Sequence, residues 1–122
     1  MPVRIVSKED VSGTHSVSAL NTEETIVEFG SASDDYIVEG WVDLGGLGDG
    51  DVVVLCLYIS VDGSNYRVFA CQEYSGPVDE PVVRFHSMTL GAGMKYRVTV
   101  KQTSGNLASI PYWFIRQVLE VV

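Results

Sequence analysis

"DVVVLCLYISVDGSNYRVFACQEYS", Asp51 to Ser75, decides the fold. Val53, Leu55, Leu57, Ile59 and Val61 recur at every second position, the period of a strand with one buried face. Asp62-Gly63 then breaks the run, a short-range hairpin signal, and a second extended run follows over 65–74. Two registers are open. If Asp62 and Gly63 alone make the turn, Val61 faces Ser64 and the cysteines are diagonal neighbours. If the loop is Asp62 to Asn65, Val61 faces Tyr66 and Cys56 lies opposite Cys71. Both registers place Cys56 and Cys71 on one face of one hairpin, a candidate disulfide. Against it stands a cytoplasmic origin, where thiols stay reduced and cysteine is a small buried hydrophobe. Zinc would need a second ligand pair. The loop reads as a bend, because Asp, Gly, Ser and Asn tolerate turn backbones. The rival reading is a binding loop on a rigid scaffold.

The same period extends along the chain. Strands are expected over 3–6, 15–19, 25–30, 35–44, 51–61, 65–74, 82–90, 94–103 and 110–121, with no window of helical periodicity. Within 94–103, Met94, Tyr96, Val98 and Val100 oppose Lys95, Arg97, Thr99 and Lys101. Short strands between frequent turns give an all-β, single-domain antiparallel β-sandwich, jelly-roll-like, with immunoglobulin-like topology not separable by spacing. Residues 25–122 form the sandwich. Residues 1–24, polar and irregular, are an N-terminal arm or edge segment. The closing run "IPYWFIRQVLEVV" is apolar on both faces: Tyr112, Phe114 and Val118 on one, Trp113, Ile115, Leu119 and Val121 on the other. Such a strand is central in its sheet, covered by another subunit, or bulged so that its faces swap midway.

Length and composition bound the function. With 122 residues the chain suits one domain, and 46% hydrophobic with 20% charged residues is globular composition. The net charge of −8 argues against nucleic acid as a partner. No apolar run reaches the ~20 residues of a membrane helix, so no membrane partner is expected. The N-terminal stretch lacks a secretory apolar core, so synthesis in a cytoplasm is expected. Residues 1–62 hold 12 acids and 2 bases, net −10, whereas residues 63–122 hold 4 acids and 6 bases, net +2. Halves of unlike sign favour self-association, and acidic loops that aid solubility are the plainer account.

No chemistry is legible. His15 and His86 have no nucleophile signature beside them, and Asp34-Asp35 and Asp79-Glu80 fall where solvated turns are expected. An enzyme is not expected, and no cofactor is implied. In "DLGGLGDGD", Asp43, Asp49 and Asp51 offer oxygens that suit calcium, at a spacing unlike an EF-hand loop; a structural turn is the plainer reading. Trp41, Tyr58, Tyr74 and Trp113 suit stacking on sugar rings, although burial explains most aromatics in β proteins.

The D-G-S-N-Y hairpin, the E-x-Y-S-G turn (Glu73 to Gly76), the K-Y-R-V-T strand (Lys95 to Thr99), Q-T-S-G (Gln102 to Gly105) and the aromatic closing strand together resemble small all-β virion structural proteins of tailed phages and related viruses. The resemblance covers about half the chain and omits residues 1–35. It implies a capsid decoration (cement) protein on the outer capsid surface of a virion, made in the host cytoplasm. Its implied partners are itself, as a homotrimer, and the major capsid protein. Trp41, Tyr112, Trp113, Phe114, Lys95, Arg97 and Lys101 are the expected interface. A carbohydrate- or receptor-binding module and a tail or baseplate subunit are the alternatives.

Overall fold

A computed structural model describes residues 2–121, and these fold as eight antiparallel strands without a helix. They are β1 (Val3–Ser16), β2 (Glu23–Phe29), β3 (Tyr36–Asp43), β4 (Val52–Ser60), β5 (Arg67–Ser75), β6 (Val82–Leu90), β7 (Lys95–Ser104) and β8 (Ser109–Val121). One sheet has the order β1-β8-β3-β6 and the other β2-β7-β4-β5. Consecutive strands alternate between the sheets except at β4-β5, which gives the jelly-roll sandwich.

The inner faces follow the period of two. Val53 and Leu55 of β4, Tyr96, Val98 and Val100 of β7, Tyr36, Val38 and Val42 of β3, and Ile110 and Phe114 of β8 are all buried in one core. Gly40 stands opposite both Phe114 and Phe85, and a side chain on it would overlap the Phe114 ring. The missing side chain lets that ring lie across the strand, with Phe85 5.3 Å away between centroids. Buried Gln102 is also satisfied: its amide donates to the Ser104 and Asn106 carbonyls and accepts from the Ala108 N–H, which closes the β7–β8 turn.

Two sequence expectations change here. The first two expected strands are one, because β1 pairs with β8 continuously except for an irregularity between Ile5 and Ser7. Residues 3–16 are therefore the edge strand of the first sheet, and β2 begins at Glu23, so the division after residue 24 cuts a strand. The closing strand is central in its sheet, flanked by β1 and β3, with Phe114 and Val118 in the core and Trp113 on the outer face. It carries no face-swapping bulge, and its register with β3 is unbroken from Tyr36↔Val118 to Val42↔Tyr112.

All four edge strands carry a bulge. The extra residues are Val6 in β1, Ile26 in β2, Phe69 in β5 and one of His86 and Ser87 in β6. Bulges twist an edge and interrupt its free ladder, which guards against edge-to-edge pairing.

Candidate interaction surfaces

The β4–β5 hairpin resolves the first ambiguity. Cys56 lies directly opposite Cys71, and the two are joined as a disulfide with Cα atoms 4.1 Å apart. The register at the loop is shifted by one residue, and the bulge at Phe69 restores the cysteine pairing. The consecutive apolar residues Val68, Phe69 and Ala70, which fit no period of two, are the sequence trace of that bulge. Asp62 organises the turn: its carboxylate accepts from the Ser64 and Asn65 N–H groups, the Asn65 side-chain amide and the Ser60 hydroxyl. These bonds hold its carboxyl well below the usual range, the Asn65 N–H and side-chain amide foremost. Gly63 supplies the positive φ of 80°. The loop is a bend whose Asp62 carboxylate is spent on the turn itself.

The acidic glycine loop does not gather a metal site. Asp51 is buried, accepting from the Gly48 and Asn106 N–H groups, while Asp43 accepts from the Gly45 N–H. Asp49 is exposed. No group of three metal-ligating side chains exists among the described residues, so the calcium reading of Asp43, Asp49 and Asp51 is replaced by turn capping. His15 is likewise engaged, with Nε2 2.8 Å from Glu24. His86 is exposed at the β6 bulge.

The expected interface residues divide between the two outer faces and the core. Lys95, Arg97 and Lys101 line the outer face of the β2-β7-β4-β5 sheet, where acids of β2 already meet the cations of β7. Arg97 pairs with Glu28 at 2.7 Å and lies over the Tyr66 ring, 4.0 Å from its centroid. Glu28 is held below its ordinary pKa by hydrogen bonds from Tyr66 and Arg97. Glu23, opposite Lys101, is lowered by hydrogen bonds from the Thr99 and Tyr58 hydroxyls. Part of the charge asymmetry of the sequence is thus paired within the molecule. Arg4–Glu120, Arg84–Glu39, Arg97–Glu28 and Arg116–Glu9 each join residues 1–62 to residues 63–122.

The aromatic set splits differently. Phe114 is fully buried in the core and leaves the interface set, because the inner face of a central strand packs on the opposite sheet. Tyr112, also on the inner side, is half-buried over Gly13. Trp41 and Trp113 face outward, directly opposite each other across β3 and β8. They are 42% and 38% exposed. Ser12 flanks the pair on β1 and Arg84 on β6, with the guanidinium 5.2 Å from the Trp41 ring centroid. A shallow hollow of about 220 Å³ beside them is lined by Asp43, Val82 and Pro111 as well. Further along the same sheet, exposed Ile5, Val3 and Val121 add apolar surface. Tyr58 lies on the opposite outer face and Tyr74 at the open side of the sandwich, so the four aromatics do not form one row.

Comparison with known proteins adds the fold. No family model matches the chain, and no curated sequence matches it. A solved structure described as Bacillus endospore appendages, a family of disulfide-linked pili, is similar over 97% of this chain and 91% of its own. It has a TM-score of 0.59 and 17% identity. The infectious bursal disease virus Gx strain structure is similar over 96% of this chain and 33% of its own, with a TM-score of 0.48 and 11% identity. TmCBM61 in complex with β-1,4-galactotriose is similar over 97% of this chain and 86% of its own, with a TM-score of 0.37 and 16% identity. At 17% identity the likeness to the pilus structure is one of fold alone.

Proposed function

We propose that this chain is a non-catalytic structural subunit of a virion or other extracellular assembly, acting by burying surface on its neighbours. The observation that carries the reading is the outward, part-exposed Trp41–Trp113 pair on the outer sheet face. Tryptophan is the residue type most enriched among residues that dominate binding energy. At the exposures observed, covering the pair removes roughly 200 Å² of apolar surface from water, about 5 kcal/mol before the costs of association. Bulged edges disfavour growth by strand addition, which leaves the sheet faces as the natural contacts. The pilus protein that shares the fold is itself a component of an assembly.

The finer form of the proposal is a capsid decoration protein, a homotrimer on the outer capsid surface that binds the major capsid protein. The sequence resemblance supports it. Many copies that bind only the assembled shell shift the equilibrium toward that shell by mass action. The first test is solution mass by light scattering across a concentration series, for the native chain and for Trp41→Thr/Trp113→Thr. A trimer that the double substitution dissolves into folded monomers supports the proposal, and binding to expanded, undecorated capsids would extend it. A monomer that binds no such capsid refutes the decoration form.

A second reading rests on the same pair. Two adjacent indoles beside a shallow hollow with Asp43 and Arg84 near its rim suit stacking on a sugar ring. Glycan-array binding by the monomer, lost in Trp113→Ala, would favour that reading.

A further inference from the structure

One surface of the described molecule is used by neither reading. On the side away from β1 and β2, the edge strands β5 and β6 face each other without closing the sandwich. Two hollows of about 390 and 510 Å³ lie between them and meet at Phe69 and Met88. Leu55, Leu57 and Ile59, from the inner face of β4, form the floor. Val61, Phe69 and Val68 along the rim are 75%, 62% and 60% exposed, the highest values among the large apolar residues described. Each hollow has the size of a small-molecule site, and the lining is mostly apolar.

Three observations select the occupant. Arg67 is the only charged residue lining the larger hollow, in a chain of net charge −8. It is also the one arginine of five without a carboxylate partner among the described residues. The register opposite Ile59 aims it to the inner side, at the cleft. Second, Met88 and Met94 line this hollow, and thioether side chains adapt to irregular apolar guests. Third, both walls are bulged, at Phe69 and at His86-Ser87, so an inserted peptide strand would meet two broken ladders. An alkyl chain needs no ladder.

We infer that this cleft binds a free long-chain carboxylate of the fatty-acid class, with its alkyl chain along the apolar trough and its head group on the Arg67 guanidinium. The test is calorimetric titration of the full chain with octanoate, decanoate and dodecanoate below their micellar range. Dodecyltrimethylammonium serves as the charge-reversed control, and amide NMR shifts locate the site. One ligand per chain is expected, with affinity rising about fourfold per added methylene. The ammonium should bind at least tenfold more weakly. Arg67→Glu, an exposed edge substitution, should reverse that preference while leaving thermal unfolding intact. Trp41→Thr/Trp113→Thr should leave dodecanoate binding unchanged, which separates this site from the assembly face. Three outcomes overturn the inference: no saturable dodecanoate binding up to about 1 mM, equal binding of both head groups with no response to Arg67→Glu, or shifts centred on Trp41 and Trp113 instead of Val61, Phe69 and Met88.

Discussion

Replacing both bridged cysteines, as Cys56→Ala/Cys71→Ala, tests the hairpin most directly. The bridge closes a loop with a sequence separation of 15, for which chain entropy gives about 3 kcal/mol of stabilisation. Two features modify that figure. A hairpin with a well-formed turn retains some closure in the unfolded chain, which lowers the effect. On the other hand, β5 pairs only with β4, so no second neighbour holds it once the bridge is gone. A loss of about 2–3 kcal/mol is expected. At about 2 kcal/mol/M the urea midpoint should fall by roughly 1–1.5 M. The melting temperature should fall by about 8–12 °C for a domain of this size. Tryptophan fluorescence follows unfolding, and thiol titration in denaturant should find two groups only after reduction. The native chain treated with dithiothreitol should match the double variant. If both unfold within about 0.3 M of the oxidised chain, the bridge does not constrain the unfolded state as argued.

Four further outcomes are expected. Gly40→Ala should cost about 1–3 kcal/mol in urea unfolding, because its methyl enters the Phe114 ring; an unchanged midpoint would show that ring free to move. Glu23 and Glu28 have lowered folded-state pKa values, so their contribution is full above the unfolded carboxylate value and is lost as pH falls through the folded one. Stability should therefore drop below about pH 4.5, and less steeply in Glu23→Gln/Glu28→Gln; equal slopes would show that the pairs are inert. Asp51→Ala strands the Gly48 and Asn106 N–H donors in a partly buried turn and should cost about 1–3 kcal/mol by thermal denaturation. Calcium or EDTA should leave the melting temperature unchanged, since Asp43 and Asp51 are each occupied by backbone donors; a rise with calcium would restore the metal reading.

Strand positions and faces were legible in the sequence because a strand has one period, two, and each apolar row must find a core. Val53 to Ile59, Tyr96 to Val100 and the two-sided Trp113–Phe114 run carried that information without reference to neighbours. The hairpin turn and the shared face of Cys56 and Cys71 were legible for the same local reason. What covers a row is a non-local matter. Only the tertiary structure decided that β8 is central and that its Phe114 face packs on the opposite sheet, which leaves Trp113 on the surface. It also placed the acids of β2 beside the cations of β7, which paired part of the charge imbalance between halves within the molecule. The open side between β5 and β6 had no signature beyond one irregular stretch, Val68 to Ala70, because a cleft is made by two edges distant in the chain. Local periodicity fixes which way a side chain points, and the order of strands fixes what it points at.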